Sequence, residues 1–145
     1  MLFRSSPYYP ASKMTWLLQN IAGLFEDAKS GKAVLGTVDS WLIYKMTGNV
    51  YTDCSNASRT QLMDLETQDW DPELCSIFKI PLEALPEITD SNFVFGVTDL
   101  QGTLKKPVPV CGVMGDSHAA LFGHNCRQAG MTKATYGTEI GRAHV

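Results

Sequence analysis

Residues 107–123 read PVPVCGVMGDSHAALFG: an apolar run, two glycines, an acid and then a helix-forming run. The spacing predicts a strand over Val108 to Val113 that ends at Gly115-Asp116, followed by a short helix from Ser117 to Phe122. A strand handing over to a helix is the repeating unit of α/β proteins, whose ligands gather at the carboxyl ends of strands. Gly115 lets another molecule approach the backbone closely. Asp116 then has two readings. It caps the helix through a side-chain oxygen, or it is a base that takes a proton from a substrate hydroxyl, as phosphoryl transfer requires.

The segments on the N-terminal side carry the same mixed character. Met14, Leu17, Leu18, Ile21, Leu24, Phe25 and Ala28 recur at helical spacing. They predict one amphipathic helix that opens at Pro10 or Ser12 and ends near Gly31. Trp16 projects away from that stripe. Ala33 to Gly36 reads as a short buried strand or a loop edge, and Thr37 can cap a helix carrying Val38, Trp41, Leu42 and Met46, closed by Gly48. Polar residues dominate from Asn49 to Gln68, which predicts irregular structure. Asp71-Pro72 opens a further helix with Leu74, Ile77 and Phe78 inside. Phe93 to Val97 and Met131 to Tyr136 read as strands, so the fold class is α/β.

The chain has 145 residues, and 12 Lys plus Arg against 15 Asp plus Glu leave a net charge of −3. A nucleic-acid surface needs a basic excess, so nucleic acid is excluded as the main partner. An apolar share of 44% with 19% charged residues fits a packed core. No apolar run reaches membrane-spanning or signal-peptide length, so no membrane partner is expected. Cys54, Cys75, Cys111 and Cys126 form no CxxC pair, which argues against a disulfide framework or zinc site and for a reducing, cytoplasmic location.

Three further features bear on chemistry. Gly137-Thr138, closing Thr135-Tyr136-Gly137-Thr138, can offer backbone amides and a hydroxyl to a phosphate. His118 and His124 are not at metal-ligand spacing on one helical face, and no metal ligand is assigned. Gly115-Asp116-Ser117 also resembles the GDS motif of GDSL-type esterases, with Ser117 as nucleophile, but no downstream D-x-x-H follows to supply the base. The closing EIGRAHV, 139–145, back-translates into the start of a common sequencing-library adapter. It is expected to be read-through rather than native protein.

Taken together, the segments resemble the FGGY carbohydrate kinases. Tyr8, Pro10, Lys13, Trp16 and Gln19-Asn20 match the constrained positions of that family's first signature. LGTVDSWLIYKMTG, TDCSNASRTQLMDL, WDPEL, GDSHAALFG and GMTKATYGT follow in the family's order. The resemblance implies two actin-like (ribonuclease H-like) domains flanking a cleft. Residues 1–122 would form the latter part of the first domain, 123–138 the opening hairpin of the second, and 139–145 the non-native tail.

It also implies ATP and Mg2+ as cofactors, and transfer of the γ-phosphate of ATP to a hydroxyl of glycerol or a related polyol or sugar, a pentulose among them. Asp116 would be the catalytic base, Tyr8 a substrate contact, and Gly137 and Thr138 part of the nucleotide site. Ser117 stands where members acting on glycerol carry a glutamine that touches the substrate. A hydroxyl is shorter and makes fewer hydrogen bonds than a carboxamide, so the pocket has room for a bulkier acceptor or a bridging water. The whole protein is compatible with a homo-oligomer, and the 145 residues alone are expected to be inactive. The reading of another class is a non-catalytic, actin-like binding module.

Overall fold

The structure, a computed structural model, describes residues 8–134. The chain divides into two compact units, one up to Val113 and one from Met114. Among the described residues no helix is long and apolar enough to cross a membrane.

In the first unit α1 (Pro10–Asn20) begins with proline in its first turn, where the missing N–H costs nothing. The predicted long helix does not continue through it. α1 stops at Ile21, whose backbone is extended, and α2 (Leu24–Lys29) restarts after Gly23 at φ 80°. A left-handed glycine breaks the helical ladder, yet Met14, Leu18 and Ala28 still reach one core. Ile21 and Phe25, assigned to the same stripe, are exposed because the break rotates them outward. Trp16 is 60% exposed.

α3 (Val38–Thr47) has the expected ends, Thr37 before it and Gly48 at φ 80° after it. Ser40 and Ile43 are its buried residues, while Val38, Trp41 and Leu42 are exposed. Leu35 just ahead of it lies in a loop, where its N–H donates to the Ala84 carbonyl at 2.7 Å.

The stretch 49–68 is more ordered than predicted. It contains β1 (Tyr51–Asp53), the one-turn helix α4 (Cys54–Ala57), and β2 (Met63–Asp64), which pairs antiparallel with β3 (Asp69–Trp70). α5 (Pro72–Phe78) is capped as expected by the Asp71 carboxylate, which accepts from the N–H groups of Glu73 and Leu74 at 2.7 and 3.2 Å. Cys75 is its buried side chain and Ile77 is exposed, another departure from the expected face.

β4 (Glu87–Thr89) runs parallel to β1, with Asp53 opposite Thr89. β5 (Gly96–Thr98) pairs antiparallel with β6 (Val108–Val110). The predicted strands at 93–97 and 108–113 are therefore present but shifted or shortened. Among the described residues the strands form three two-stranded sheets.

The main core joins α1, α2, the loop at Leu35, Leu62, α5 and the residues around Ile80 and Ala84. The Thr15 hydroxyl ties α1 to α5 by donating to the Phe78 carbonyl at 2.8 Å, and the Trp70 indole N–H donates to the Pro86 carbonyl at 2.7 Å. Buried in this core, the Cys75 thiol is pushed up to about 11, by burial first and then by the Asp71 charge. The folded chain thus keeps a proton that an unfolded chain releases above the thiol's ordinary value of 9.0. Stability should fall as pH rises from about 9 towards 11, by up to about 2 kcal/mol from this group. Melting temperatures across that range should decline more steeply for the parent chain than for Cys75→Ala. Parallel declines would refute the assignment.

The second unit contains α6 (Asp116–Gly123), which starts one residue earlier than predicted. The predicted last strand is not formed over Met131 to Ala134, and Thr135 and Tyr136 lie outside the described residues.

Candidate functional site

Asp116 is the first residue of α6, and Gly115 occupies the N-cap position with no side-chain cap. The helix-capping reading of Asp116 is therefore not what the geometry shows. One carboxylate oxygen accepts from the N–H of the next residue, Ser117, at 2.6 Å, which places a negative charge at the positive end of the helix. The side chain is exposed, and Ser117 beside it is half-buried. An acid on the first turn of a helix, with a glycine before it, is open to an approaching hydroxyl and held by one backbone bond.

Tyr8 belongs to the first unit. It stands before α1, 53% exposed, with its ring edge-on to Tyr9 at 5.4 Å between centroids. The Lys13 ammonium donates to the Tyr8 carbonyl at 3.3 Å. Asp116 and Ser117 are brought together on α6, whereas Tyr8 is held by its own unit. Gly137 and Thr138 lie outside the described residues. Among the described residues no group of three His, Cys, Asp or Glu side chains is placed to hold a metal ion.

The residue that sequence reading passed over is Asp53. It is fully buried at the carboxyl end of β1 and caps α4. One of its oxygens accepts from the Asn56 N–H and side-chain amide at 3.1 and 2.7 Å. The other accepts from the Ser55 N–H at 3.1 Å, the Ser55 hydroxyl at 2.6 Å and the Ser91 hydroxyl at 2.6 Å. Burial pushes this carboxyl up, but the hydrogen bonds from Ser55, Ser91 and Asn56 together outweigh it and leave it below its ordinary value. The local signal was available: an acid followed by Ser and Asn at the second and third positions suits an N-cap. Next to it the Cys54 thiol is pushed up by burial and then by the charges of Asp90 and Asp53, which makes it a poor nucleophile.

The first unit also has a cavity of about 390 Å³ beside α3, lined by Lys32, Val34, Ser40, Trp41 and Tyr44 among others. Among the described residues, none of the predicted site residues lines it.

Comparison with known proteins places this arrangement in context. Residues 2–123 match the N-terminal domain of the FGGY family of carbohydrate kinases. Glycerol kinase 1 of Thermotoga maritima is 54% identical over 134 residues, 91% of this chain and 27% of that protein. The glycerol kinase of Thermococcus kodakarensis is 50% identical over 131 residues, 90% of this chain and 26% of that protein. The chain thus spans about a quarter of the length of the relatives it matches.

Among solved structures, a Plasmodium falciparum glycerol kinase with ADP superposes with a TM-score of 0.71 at 38% identity, covering 78% of this chain and 23% of that one. A gluconate kinase from Lactobacillus acidophilus superposes with a TM-score of 0.68 at 25% identity, covering 81% of this chain and 24% of that one. The mixed helix-and-strand fold is accordingly part of the actin-like ATPase fold of these kinases. With a family match over most of its length, relatives at half identity and the same fold in solved kinases, the chain belongs to the FGGY family of carbohydrate kinases.

Proposed function

We propose that the protein carrying this chain transfers the γ-phosphoryl group of ATP to a hydroxyl of glycerol or a related polyol or sugar. The observation that carries the reading is the exposed carboxylate of Asp116 at the start of α6, in a chain from this kinase family. Asp116 accepts the proton of the acceptor hydroxyl as its oxygen bonds to the γ-phosphorus and the bond to the β-phosphate oxygen breaks, leaving ADP. Little covalent chemistry falls to the protein in such a transfer, so placing the base and excluding water are its main tasks.

Tyr8 contributes a hydroxyl to the acceptor, Ser117 borders it, and Gly137 with Thr138 contacts the nucleotide phosphates. Mg2+ accompanies ATP in this reading, but the described residues offer no three-donor group to hold it, so no step here runs through the ion. The first kinase domain ends near Phe122, and residues 123–138 open the second.

The test is ADP release by the whole kinase, with ATP and a panel of glycerol, larger polyols and pentuloses. Acceptor-dependent ADP formation is the expected result. Release no faster than without acceptor would overturn the kinase reading, and nucleotide binding without turnover would favour a binding module. Within that panel Ser117→Gln, which restores a carboxamide, should raise kcat/KM for glycerol relative to larger acceptors by about tenfold, the worth of one good hydrogen bond of about 1.4 kcal/mol.

A further inference from the structure

We propose that Asp53 and Ser91 are positioning residues for the base, a role that rests on the kinase reading above. Asp53 ends β1 and Ser91 lies two residues past β4, at the carboxyl side of the parallel pair, where α/β proteins place their ligands. The Ser91 hydroxyl donates to Asp53 at 2.6 Å, and the Ser91 carbonyl accepts from the Val113 N–H at 3.0 Å.

Sheet pairing of β6 ends at Val110. Val113 is then the last residue of the first unit, and only Met114 and Gly115 separate it from Asp116. A buried carboxylate with five donors is a fixed post. Ser91 connects that post to the point where the chain leaves the first unit. A hydrogen-bonded exit point limits the wander of the three residues that follow, and misplacing a catalytic group by about 1 Å costs up to about a hundredfold in rate.

Ser55 provides the matched control, because its hydroxyl donates to the same Asp53 oxygen at the same 2.6 Å but lies off the path to Val113. In the whole kinase, Ser91→Ala should lower kcat about tenfold, leave KM for ATP within twofold, and speed hydrogen exchange at the Val113 amide. Ser91→Thr, which keeps the hydroxyl, should restore both readouts. Ser55→Ala should change kcat by less than twofold and leave the Val113 amide protected. Equal kcat losses in Ser91→Ala and Ser55→Ala, or unchanged Val113 exchange in Ser91→Ala, would overturn the proposal. Faster Val113 exchange in a protein that phosphorylates no acceptor would sustain the tether and sink the kinase reading instead.

Discussion

Asp116→Asn in the whole kinase should lower kcat by about 10²- to 10⁴-fold, the usual contribution of a positioned general base. Asparagine has the shape of aspartate and keeps an oxygen that can accept from the Ser117 N–H, as this side chain does at the start of α6. The helix start is therefore preserved and only the proton-accepting capacity is lost. KM for the acceptor should move by less than threefold, because the hydroxyl still finds a polar partner of the same size. Steady-state ADP release at saturating ATP reads both constants, and an unchanged melting temperature confirms that the fold is intact. Activity within tenfold of the parent would remove Asp116 from the role of base. Labelling of Ser117 by a fluorophosphonate would instead support a serine nucleophile.

Much of the fold is legible where a single residue dictates a backbone event. Asp71-Pro72 opens α5, and Gly48 closes α3 in a left-handed conformation. These are local rules, fulfilled within one turn of chain. The misread parts depend on what lies across from the element. Val38, Trp41 and Leu42 form a plausible inward face of α3 by periodicity, yet the helix turns its other side to β1. There the Asp39 carboxylate accepts from the hydroxyls of Thr37 and Thr52, the latter at 2.7 Å. A hydropathy pattern cannot reveal that a helix buries a serine beside a single isoleucine, Ser40 and Ile43, and leaves its larger apolar side chains outside.

The same reasoning explains the segment after Asn49. Its polar residues suggested an irregular loop, but Asp53, Ser55, Asn56 and Ser91 satisfy one another and can be buried at little cost. The break at Gly23 was hidden for the opposite reason. Both helix fragments supply apolar residues to one core, so the period runs on across a gap that a single left-handed residue creates. Of the candidate site, the place of Asp116 between a strand and α6 is readable because its surroundings are contiguous in sequence. The Asp53–Ser91–Val113 connection is not, since its members are 38 residues apart at the first link and the second link is made by backbone atoms that leave no mark in the sequence.

Gly96→Ala should be the most damaging single-atom change in the first unit. Gly96 opens β5 at φ +146°, a conformation that residues with a Cβ rarely adopt, and forcing one there costs about 1–3 kcal/mol. An added Cβ would also sit 2.6 Å from the Thr47 Cβ and 2.9 Å from the Asn49 side-chain nitrogen. Neither neighbour is free to retreat. The Thr47 hydroxyl donates to the Ile43 carbonyl at 2.7 Å and accepts from the Asn49 N–H at 3.2 Å, while the Asn49 amide donates to the Phe95 carbonyl at 3.0 Å. Overpacking of this kind adds about 1–3 kcal/mol.

The sum, about 2–6 kcal/mol, corresponds to a fall in melting temperature on the order of 10 °C for a domain of this size. Gly48→Ala isolates the backbone part. Gly48 is also left-handed, at φ +80°, but has nothing within 4 Å of its would-be Cβ, so alanine there should cost about 1 kcal/mol. If thermal denaturation shows the two variants equally destabilised, the crowding of β5 against the end of α3 contributes nothing, and only backbone strain separates glycine from alanine at position 96.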